Sequence, residues 1–176
     1  MSITLEKPCG PWQWAQIYAL YLTAFPAAER KPFGIIRKMF RQGGTHVWRI
    51  LRSGKFAGFA ATVNGDGLIL LDYLAVCKTC RGQGIGSAAM AQLLQIYHDK
   101  GLFVEIESTR TGQAQQQKRK SFYLDAGLKD LGTSAMVFGV PMDLLGIRCA
   151  LDFERYRSFY RDYYSVWAAE HLKPIE

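Results

Sequence analysis

Cysteine and histidine are scarce in this sequence, and their scarcity argues against a metal centre. The 176 residues include four cysteines and three histidines. Cys77 and Cys80 form a C-x-x-C pair that would supply half of a zinc site or a redox pair. Cys9 and Cys149 are isolated, and no histidine is spaced to complete a ligand set. We therefore expect reduced thiols and no bound metal.

The sequence also lacks the segments that direct a chain into or across a membrane. No apolar run approaches the roughly 20 residues needed to span a bilayer. The N-terminus has no charged start followed by an apolar core, as a signal peptide would. We expect a cytoplasmic protein with no membrane partner.

Size and charge set the remaining bounds. A chain of 176 residues with 49% hydrophobic content fills one core but is short for two ordinary domains, so residues 1–176 are predicted to form a single domain. The 22 Lys and Arg against 15 Asp and Glu give a net charge of +7, which suits an anionic ligand or nucleic acid. No nucleic-acid-binding motif accompanies that charge, so nucleic acid is the less favoured partner.

Apolar periodicity predicts a mixture of helices and strands. Trp14, Ile17 and Tyr21 recur at helical spacing and predict an amphipathic helix that ends at Pro26. A second short helix is predicted over residues 35–41, and residues 45–76 favour three consecutive strands separated by hairpin turns. By itself this pattern indicates only an α/β or α+β domain.

Residues 80–90, CRGQGIGSAAM, place three glycines at alternate positions between a predicted strand and a predicted helix. Free N–H groups at a helix N-terminus bind anions, and the missing side chains let a phosphate approach the backbone. A Walker A loop is excluded because the segment does not end in Gly-Lys-Ser/Thr. A dinucleotide-binding loop is excluded because the spacing is G-x-G-x-G, not G-x-G-x-x-G.

The third interpretation of this loop is a family resemblance. Arg81, Gly84 and Gly86 match the Arg-x-x-Gly-x-Gly pattern of the pyrophosphate loop in the GNAT superfamily of acyl-CoA-dependent N-acyltransferases, which this stretch resembles. A strand predicted over residues 102–108 and a short helix follow, in the order that the family shows. That helix resembles the family's second motif through Phe122, Tyr123, Gly127 and Leu128.

The resemblance implies a fold and an activity. The implied fold is the α/β (α+β) GNAT acyltransferase fold, a central mixed sheet of about six or seven strands flanked by helices. The core motifs would lie in residues 67–140 and a C-terminal helical extension in residues 143–170. The implied reaction is transfer of an acetyl group from acetyl-CoA to a primary amine, by direct attack in a ternary complex.

The acceptor and two other functions stay open at this point. The amine could belong to a small molecule, a protein N-terminus or a lysine. A non-catalytic acyl-CoA-binding sensor of the same fold and a nucleic-acid-binding module are the alternatives to an enzyme.

The resemblance also assigns the residues that would hold acetyl-CoA. In the family, one strand parts from its neighbour and its N–H groups hold the pantetheine arm, and the matching segment here is Leu74, Ala75 and Val76. Arg81 would open the pyrophosphate loop. The rest of that loop would be Gly82, Gln83, Gly84, Ile85, Gly86 and Ser87.

Four residues are candidates for the chemistry. Tyr123 matches the family tyrosine that protonates the departing thiolate. Glu105 and Glu107 lie two apart on a predicted strand and therefore on one face, where burial can raise a carboxyl pKa. Glu105 is the leading base, because its sequence context resembles the Leu-Glu-Val of the ribosomal-protein alanine N-acetyltransferases, where that glutamate is the base. Glu107 and Asp72 remain alternatives.

Three further segments receive structural predictions. Residues 29–31 favour a solvated charge cluster, in the region where GNAT enzymes build the acceptor pocket. Residues 115–120, QQQKRK, favour a mobile polar loop. Residues 151–167 predict a packing helix that would alternatively form a homodimer or shape the acceptor site. Its apolar face would carry Phe153, Tyr156, Tyr160, Tyr163 and Trp167.

Overall fold

The computed structural model describes residues 2–108 and 112–175 and confirms the predicted α/β class. The helices are α1 (Pro11–Ala24), α2 (Phe33–Arg41), α3 (Ile85–Ile96), α4 (Ala114–Asp125), α5 (Phe153–Tyr163) and α6 (Val166–Glu170). The strands are β1 (Ile3–Glu6), β2 (Thr45–Arg52), β3 (Lys55–Asn64), β4 (Leu68–Val76), β5 (Gly101–Glu107), β6 (Lys129–Val137), β7 (Val140–Ile147) and β8 (Leu172–Pro174). Two short 3₁₀ turns cover Ala27–Glu29 and Lys78–Cys80.

The strands of the described residues form one eight-stranded mixed sheet in the order β1-β2-β3-β4-β5-β7-β6-β8. β4 and β5 run parallel and pair residues 68–70 with residues 101–103. The sheet has more strands than predicted because β8, which follows the C-terminal helices, adds to its β6 edge. Among the residues described, no helix is long and apolar enough to cross a membrane.

The chain divides into two compact units. The first unit contains residues 2–64 and 71–96, and the second contains residues 65–70, 97–108 and 112–175.

Two apolar clusters form the core of the first unit. In one, Ile17 and Tyr21 of α1 pack with Phe59 and Tyr73 of the strands. In the other, Ile85 and Ala89 of α3 pack with residues from β1, β2 and β3. Each large apolar side chain that is fully buried contributes about 1.5–3 kcal/mol, so these clusters are the main stabilising term of the unit.

The local signals of the first unit produce the elements that they predict. Pro11 begins α1, where its missing N–H costs nothing, and the helix ends at Ala24, just before Phe25 and Pro26. Ser53 and Gly54 join β2 to β3 with φ angles of 49° and 76°. Two successive left-handed residues give a turn whose twist matches that of the paired strands.

In the second unit, α5 packs against the sheet through aromatic rings. Phe103 of β5 lies edge-on to Phe159, with ring centroids 5.2 Å apart. Gly65 precedes β4, and a Cβ built there would lie 2.6 Å from the Phe159 ring and 2.9 Å from the Tyr163 ring. The position is therefore restricted to glycine by the close approach of α5.

The structure corrects the predictions for residues 115–120 and for the C-terminal helix. Residues 115–120 are not a loop, because α4 already begins at Ala114 and buries Gln116. Ala, Gln, Lys and Arg are good helix formers, so the helix propensity of this segment determines its structure despite its polar composition. The polar segment before α4 includes residues 109–111, which lie outside the described residues.

The C-terminal helix is also interrupted. α5 ends at Tyr163, and α6 begins at Val166 after Ser165, whose side chain accepts a hydrogen bond from the Ala168 N–H. Trp167 therefore belongs to α6 and not to the packed face of α5, and its side chain is 62% exposed. Phe159, absent from the predicted face, is buried instead.

Candidate active site

The glycine loop joins β4 to α3 in the first unit and has a specific backbone conformation. Gly82 and Gly84 both have a φ of +71°, in the left-handed region that favours glycine. Ile85 is the first residue of α3, so the loop leads directly into the N–H groups of the first helical turn. No atom of the described residues outside its neighbours lies within 4 Å of a Cβ built at Gly82. The loop therefore offers backbone donors next to open space.

Side chains brace this loop from within the first unit. Arg81 Nε donates a hydrogen bond to the Val76 carbonyl at 3.2 Å, which ties the start of the loop to the end of β4. Gln83 Nε2 donates to the Thr79 carbonyl at 3.1 Å, and Gln83 Oε1 accepts from Arg52 Nη1. Ile85 is fully buried, whereas Ser87 is exposed and Gly86 is half-buried.

The β4 segment that the resemblance assigns to the pantetheine arm is held in place by the packing of its side chains. Ala75 is buried and packs in the cluster of α1 and α2. Leu74 and Val76 are half-buried and pack against the α3 cluster. Successive side chains of this segment therefore point to opposite faces of the sheet. All three side chains are apolar, so the polar groups of the segment are those of its backbone.

Tyr123 lies on α4 in the second unit and is buried, with 9% of its surface exposed. Its ring lies edge-on to Phe122, with centroids 5.0 Å apart. Burial raises the pKa of Tyr123 to about 12, while the nearby positive charge of Arg119 acts in the opposite direction. The phenol therefore keeps its proton at neutral pH.

Glu105 on β5 is held by two hydroxyl groups from α5. Tyr156 Oη donates to Glu105 Oε1 at 2.6 Å, and Tyr160 Oη donates to the same oxygen at 2.7 Å. Both tyrosines are completely buried. Distances this short are typical of hydrogen bonds from hydroxyl groups to an ionised carboxylate.

The two alternative carboxylates have different environments. Glu107, also on β5, accepts a hydrogen bond from Gln116 Nε2 of α4 at 3.3 Å. Asp72 on β4 forms an ion pair with Lys31, with Oδ1 and Nζ 2.7 Å apart, and its side chain is 9% exposed. Lys31 is therefore part of an ion pair, which corrects the prediction that residues 29–31 form a solvated charge cluster.

A tyrosine pair also fixes the segment that carries Lys31. Tyr73 Oη accepts a hydrogen bond from the Lys31 N–H at 3.1 Å and donates to the Glu29 carbonyl at 3.2 Å. Tyr21 Oη donates to the Lys31 carbonyl at 2.8 Å. The connection between α1 and α2 is thus anchored to β4 in the first unit.

The candidate residues fall into two groups. The glycine loop, the β4 segment and Asp72 belong to the first unit, whereas Glu105, Glu107 and Tyr123 belong to the second. The structure adds Tyr156 and Tyr160, which the sequence had marked only as residues of a packing face. Their spacing of four on a helix was visible, but the carboxylate that they bind lies 51 and 55 residues away.

The thiols and possible metal ligands form no comparable arrangement. Cys77 and Cys80 are free thiols at the two ends of a 3₁₀ turn, and burial raises the pKa of Cys77. Within residues 2–108 and 112–175, no three His, Cys, Asp or Glu side chains are grouped so that they could hold a metal ion.

Comparison with known proteins identifies the fold family. A sequence model of the acetyltransferase (GNAT) family matches residues 14–127, and no curated protein matches the chain. Among solved structures, a Bacteroides thetaiotaomicron protein described as a GNAT-family acetyltransferase superposes with a TM-score of 0.75 at 17% identity. The match covers 91% of this chain and 98% of that chain.

Two enzymes of stated activity also share the fold. The ribosomal-protein-S18-alanine N-acetyltransferase of Escherichia coli has a TM-score of 0.63 at 15% identity, covering 85% of this chain and 96% of that chain. The spermidine N-acetyltransferase of Vibrio cholerae, solved with CoA and spermine, has a TM-score of 0.67 at 10% identity, covering 82% and 94%. Because the family sequence model spans more than half of the chain, we conclude that this protein belongs to the GNAT acetyltransferase family.

Proposed function

We propose that this protein transfers an acetyl group from acetyl-CoA to a primary amine by direct attack in a ternary complex, with residues 1–176 acting as one catalytic domain. The observation that carries the proposal is the left-handed glycine loop that leads into α3. Such a loop binds a diphosphate through backbone N–H groups, and CoA contains one. Arg81, Gly82, Gln83, Gly84, Ile85, Gly86 and Ser87 would hold it, and Leu74, Ala75 and Val76 would hold the pantetheine amides.

In the proposed reaction, the amine nitrogen attacks the thioester carbonyl carbon and a C–N bond forms. The C–S bond then breaks, the sulfur gains a proton, and the nitrogen loses one. Tyr123 is proposed to donate its proton to the departing sulfur. This role is supported by the match to the family motif and by a phenol that stays protonated at neutral pH.

The acid strength of Tyr123 limits how far that transfer proceeds. A thiol has a pKa of about 8.5, well below the value of about 12 that burial gives Tyr123. Complete transfer from phenol to thiolate is therefore uphill. Partial transfer, in the form of a strong hydrogen bond to the developing thiolate, is the contribution that these pKa values favour.

Glu105 is the proposed base, and hydrogen bonds from its two tyrosine partners support the assignment. Hydrogen bonds from Tyr156 and Tyr160 fix one carboxylate oxygen and stabilise the ionised form. An ionised, fixed carboxylate is ready to accept a proton, directly or through a water molecule. The assignment is tested by Glu105→Gln, which should lower kcat/KM at neutral pH and recover partly in alkaline buffer, where the free amine becomes abundant; an unchanged pH profile would contradict it.

The other carboxylates are less suited to this role. Asp72 Oδ1 already forms an ion pair with Lys31 Nζ at 2.7 Å, so this carboxylate is engaged within the first unit. Glu107 has one longer hydrogen bond from Gln116 and remains the second choice.

The acceptor is proposed only as a primary amine. Structural neighbours include an enzyme named for spermidine and the Naa50 protein of Arabidopsis thaliana in complex with a CoA-Ac-MVNAL bisubstrate analogue. Small polyamines, protein N-termini and lysine side chains are therefore the first acceptor classes to compare.

The proposed function is tested by measuring CoA release from acetyl-CoA with a thiol reagent, in the presence of a panel of amines. The panel contains spermidine, peptides that begin with alanine or methionine, a peptide with an internal lysine, and free amino acids. We expect release that depends on one amine class and exceeds the rate without amine. Tight binding of acetyl-CoA with no amine-dependent release would instead identify a non-catalytic sensor.

A further inference from the structure

A side chain from a neighbouring hairpin reaches the glycine loop. Arg52 is the last residue of β2, directly before the tight turn at Ser53 and Gly54. Its Nη1 donates to Gln83 Oε1, and Gln83 Nε2 donates to the Thr79 carbonyl at 3.1 Å. Two hydrogen bonds in series therefore connect the β2–β3 hairpin, the centre of the loop and the 3₁₀ turn that precedes it.

The position of Gln83 makes this connection consequential. Gln83 lies between Gly82 and Gly84, and both glycines adopt the left-handed conformation. Glycine populates many other conformations at little cost, so fixing a glycine in one conformation costs backbone entropy. A loop with free glycines would lose that entropy when it binds a ligand. Gln83 is the only residue between them, so its side-chain bonds restrain the backbone on both sides.

The hairpin is a suitable support for such a restraint. The left-handed turn after Arg52 is short, and Arg52 pairs with Lys55 across the hairpin, beyond a register shift between Ile50 and Leu51. Arg52 itself is half-buried, whereas Gln83 is exposed. Arg52 is therefore anchored at a paired strand end, whereas Gln83 lies on the exposed loop.

We infer that Arg52 is a positioning residue for the pyrophosphate loop, which acts through Gln83 to hold the loop in the conformation that binds the diphosphate of CoA. The inference rests on the proposed function, because it takes the loop as the CoA site. A positioning residue of this kind affects every ligand that carries the diphosphate. Loss of Arg52 should therefore weaken CoA and 3′-dephospho-CoA equally.

Calorimetry with CoA and with 3′-dephospho-CoA tests this inference without knowledge of the acceptor. We expect Arg52→Ala and Gln83→Ala each to weaken both ligands about fivefold to tenfold, the scale of one exposed hydrogen bond plus the order that it maintains. The double variant should lose no more affinity than the single variant that binds more weakly, because the two side chains act through one contact. Arg52→Met should behave like Arg52→Ala, because methionine keeps much of the length of the side chain but has no N–H group to donate.

The controls separate positioning from charge and from folding. Lys55→Ala removes one positive charge from the same hairpin and should change affinity less than twofold. Melting temperatures of all variants should stay close to that of the wild type, because Gln83 is exposed and Arg52 is at a strand end.

Several outcomes would overturn the inference. Additive losses in the double variant would show that Arg52 does not act through Gln83, and wild-type affinity in Arg52→Met would show that the N–H groups of Arg52 do not support the loop. A larger loss for CoA than for 3′-dephospho-CoA would place Arg52 at the 3′-phosphate. If the wild type binds neither ligand, the proposed function itself fails, whereas binding that no variant weakens refutes only the role of Arg52.

Discussion

The hydrogen bonds between Glu105 and α5 allow a quantitative prediction, because the variants that test them change few other contacts. Tyr160→Phe removes one hydroxyl from a completely buried ring and leaves the ring packing in place. The hydroxyl bonds a carboxylate oxygen at 2.7 Å. Hydrogen bonds to charged groups contribute about 1.5–3 kcal/mol, so the free energy of unfolding should fall by that amount.

Glu105→Gln completes the thermodynamic cycle. The amide keeps the shape of the side chain and an acceptor oxygen, but it has no charge to strengthen the bond to Tyr160. We expect a coupling energy of about 1–2 kcal/mol between the two substitutions, measured by urea unfolding of both single variants and the double variant. The coupling arises because either substitution alone removes the charged hydrogen bond between Tyr160 and Glu105, so the double variant has no further such bond to lose.

Tyr163→Phe is the matched control for this cycle. Tyr163 lies on the same helix, and its hydroxyl accepts a hydrogen bond from the Asp66 N–H at 2.8 Å. That substitution should also destabilise the protein, but its effect should add to that of Glu105→Gln within about 0.5 kcal/mol. If Tyr160→Phe is as additive with Glu105→Gln as Tyr163→Phe is, the carboxylate does not hold α5 through these hydroxyls.

Three other predictions concern Tyr123 and Gly65. Tyr123→Phe should lower kcat about 100-fold or more with a smaller change in acetyl-CoA affinity, and wild-type turnover would mean that the ring is only packed. The raised pKa of Tyr123 should also make the protein less stable in alkali: its contribution is intact below pH 10, and is lost as pH rises toward 12 because the unfolded chain ionises first. Over those two pH units the free energy of unfolding should fall by up to about 2.7 kcal/mol, and Tyr123→Phe should reduce that fall in urea titrations across the range. Finally, Gly65→Ala should lower the melting temperature by several degrees, since its Cβ would lie 2.6 Å from the Phe159 ring, whereas Gly34→Ala, with no left-handed φ and no described atom beyond its own helix backbone within 4 Å of the added Cβ, should not lower it. An unchanged melting temperature in Gly65→Ala would contradict the role of the ring contact.

Local patterns were sufficient for much of the fold. The hairpin turn at Ser53 and Gly54 and the end of α1 before Pro26 follow from the conformational limits of a few adjacent residues. The glycine loop was recognisable for the same reason, because closely spaced glycines permit the left-handed backbone that Gly82 and Gly84 adopt. These features need no information about distant parts of the chain.

The contacts of the candidate site were less predictable, because they join residues far apart in sequence. Asp72 meets Lys31 across 41 residues, and Glu105 meets Tyr160 across 55 residues. Periodicity could place Tyr160 on the packed face of a helix, but it could not identify a carboxylate as the partner. The interruption between α5 and α6 depends on Ser165, which caps α6, and the aromatic periodicity across residues 151–167 carries no sign of that cap.

The central claim, that the glycine loop binds acetyl-CoA, is tested most directly by calorimetry with a pair of glycine variants. Gly82 and Gly43 have φ angles of +71° and +79°, and at both positions no described atom beyond the neighbouring residues lies within 4 Å of an added Cβ. Alanine at either position therefore imposes a similar backbone strain of about 1–2 kcal/mol. We predict that Gly82→Ala weakens acetyl-CoA binding at least about tenfold, because the loop can no longer present its N–H groups, while Gly43→Ala binds like the wild type. Equal affinities in the two variants would contradict the claim.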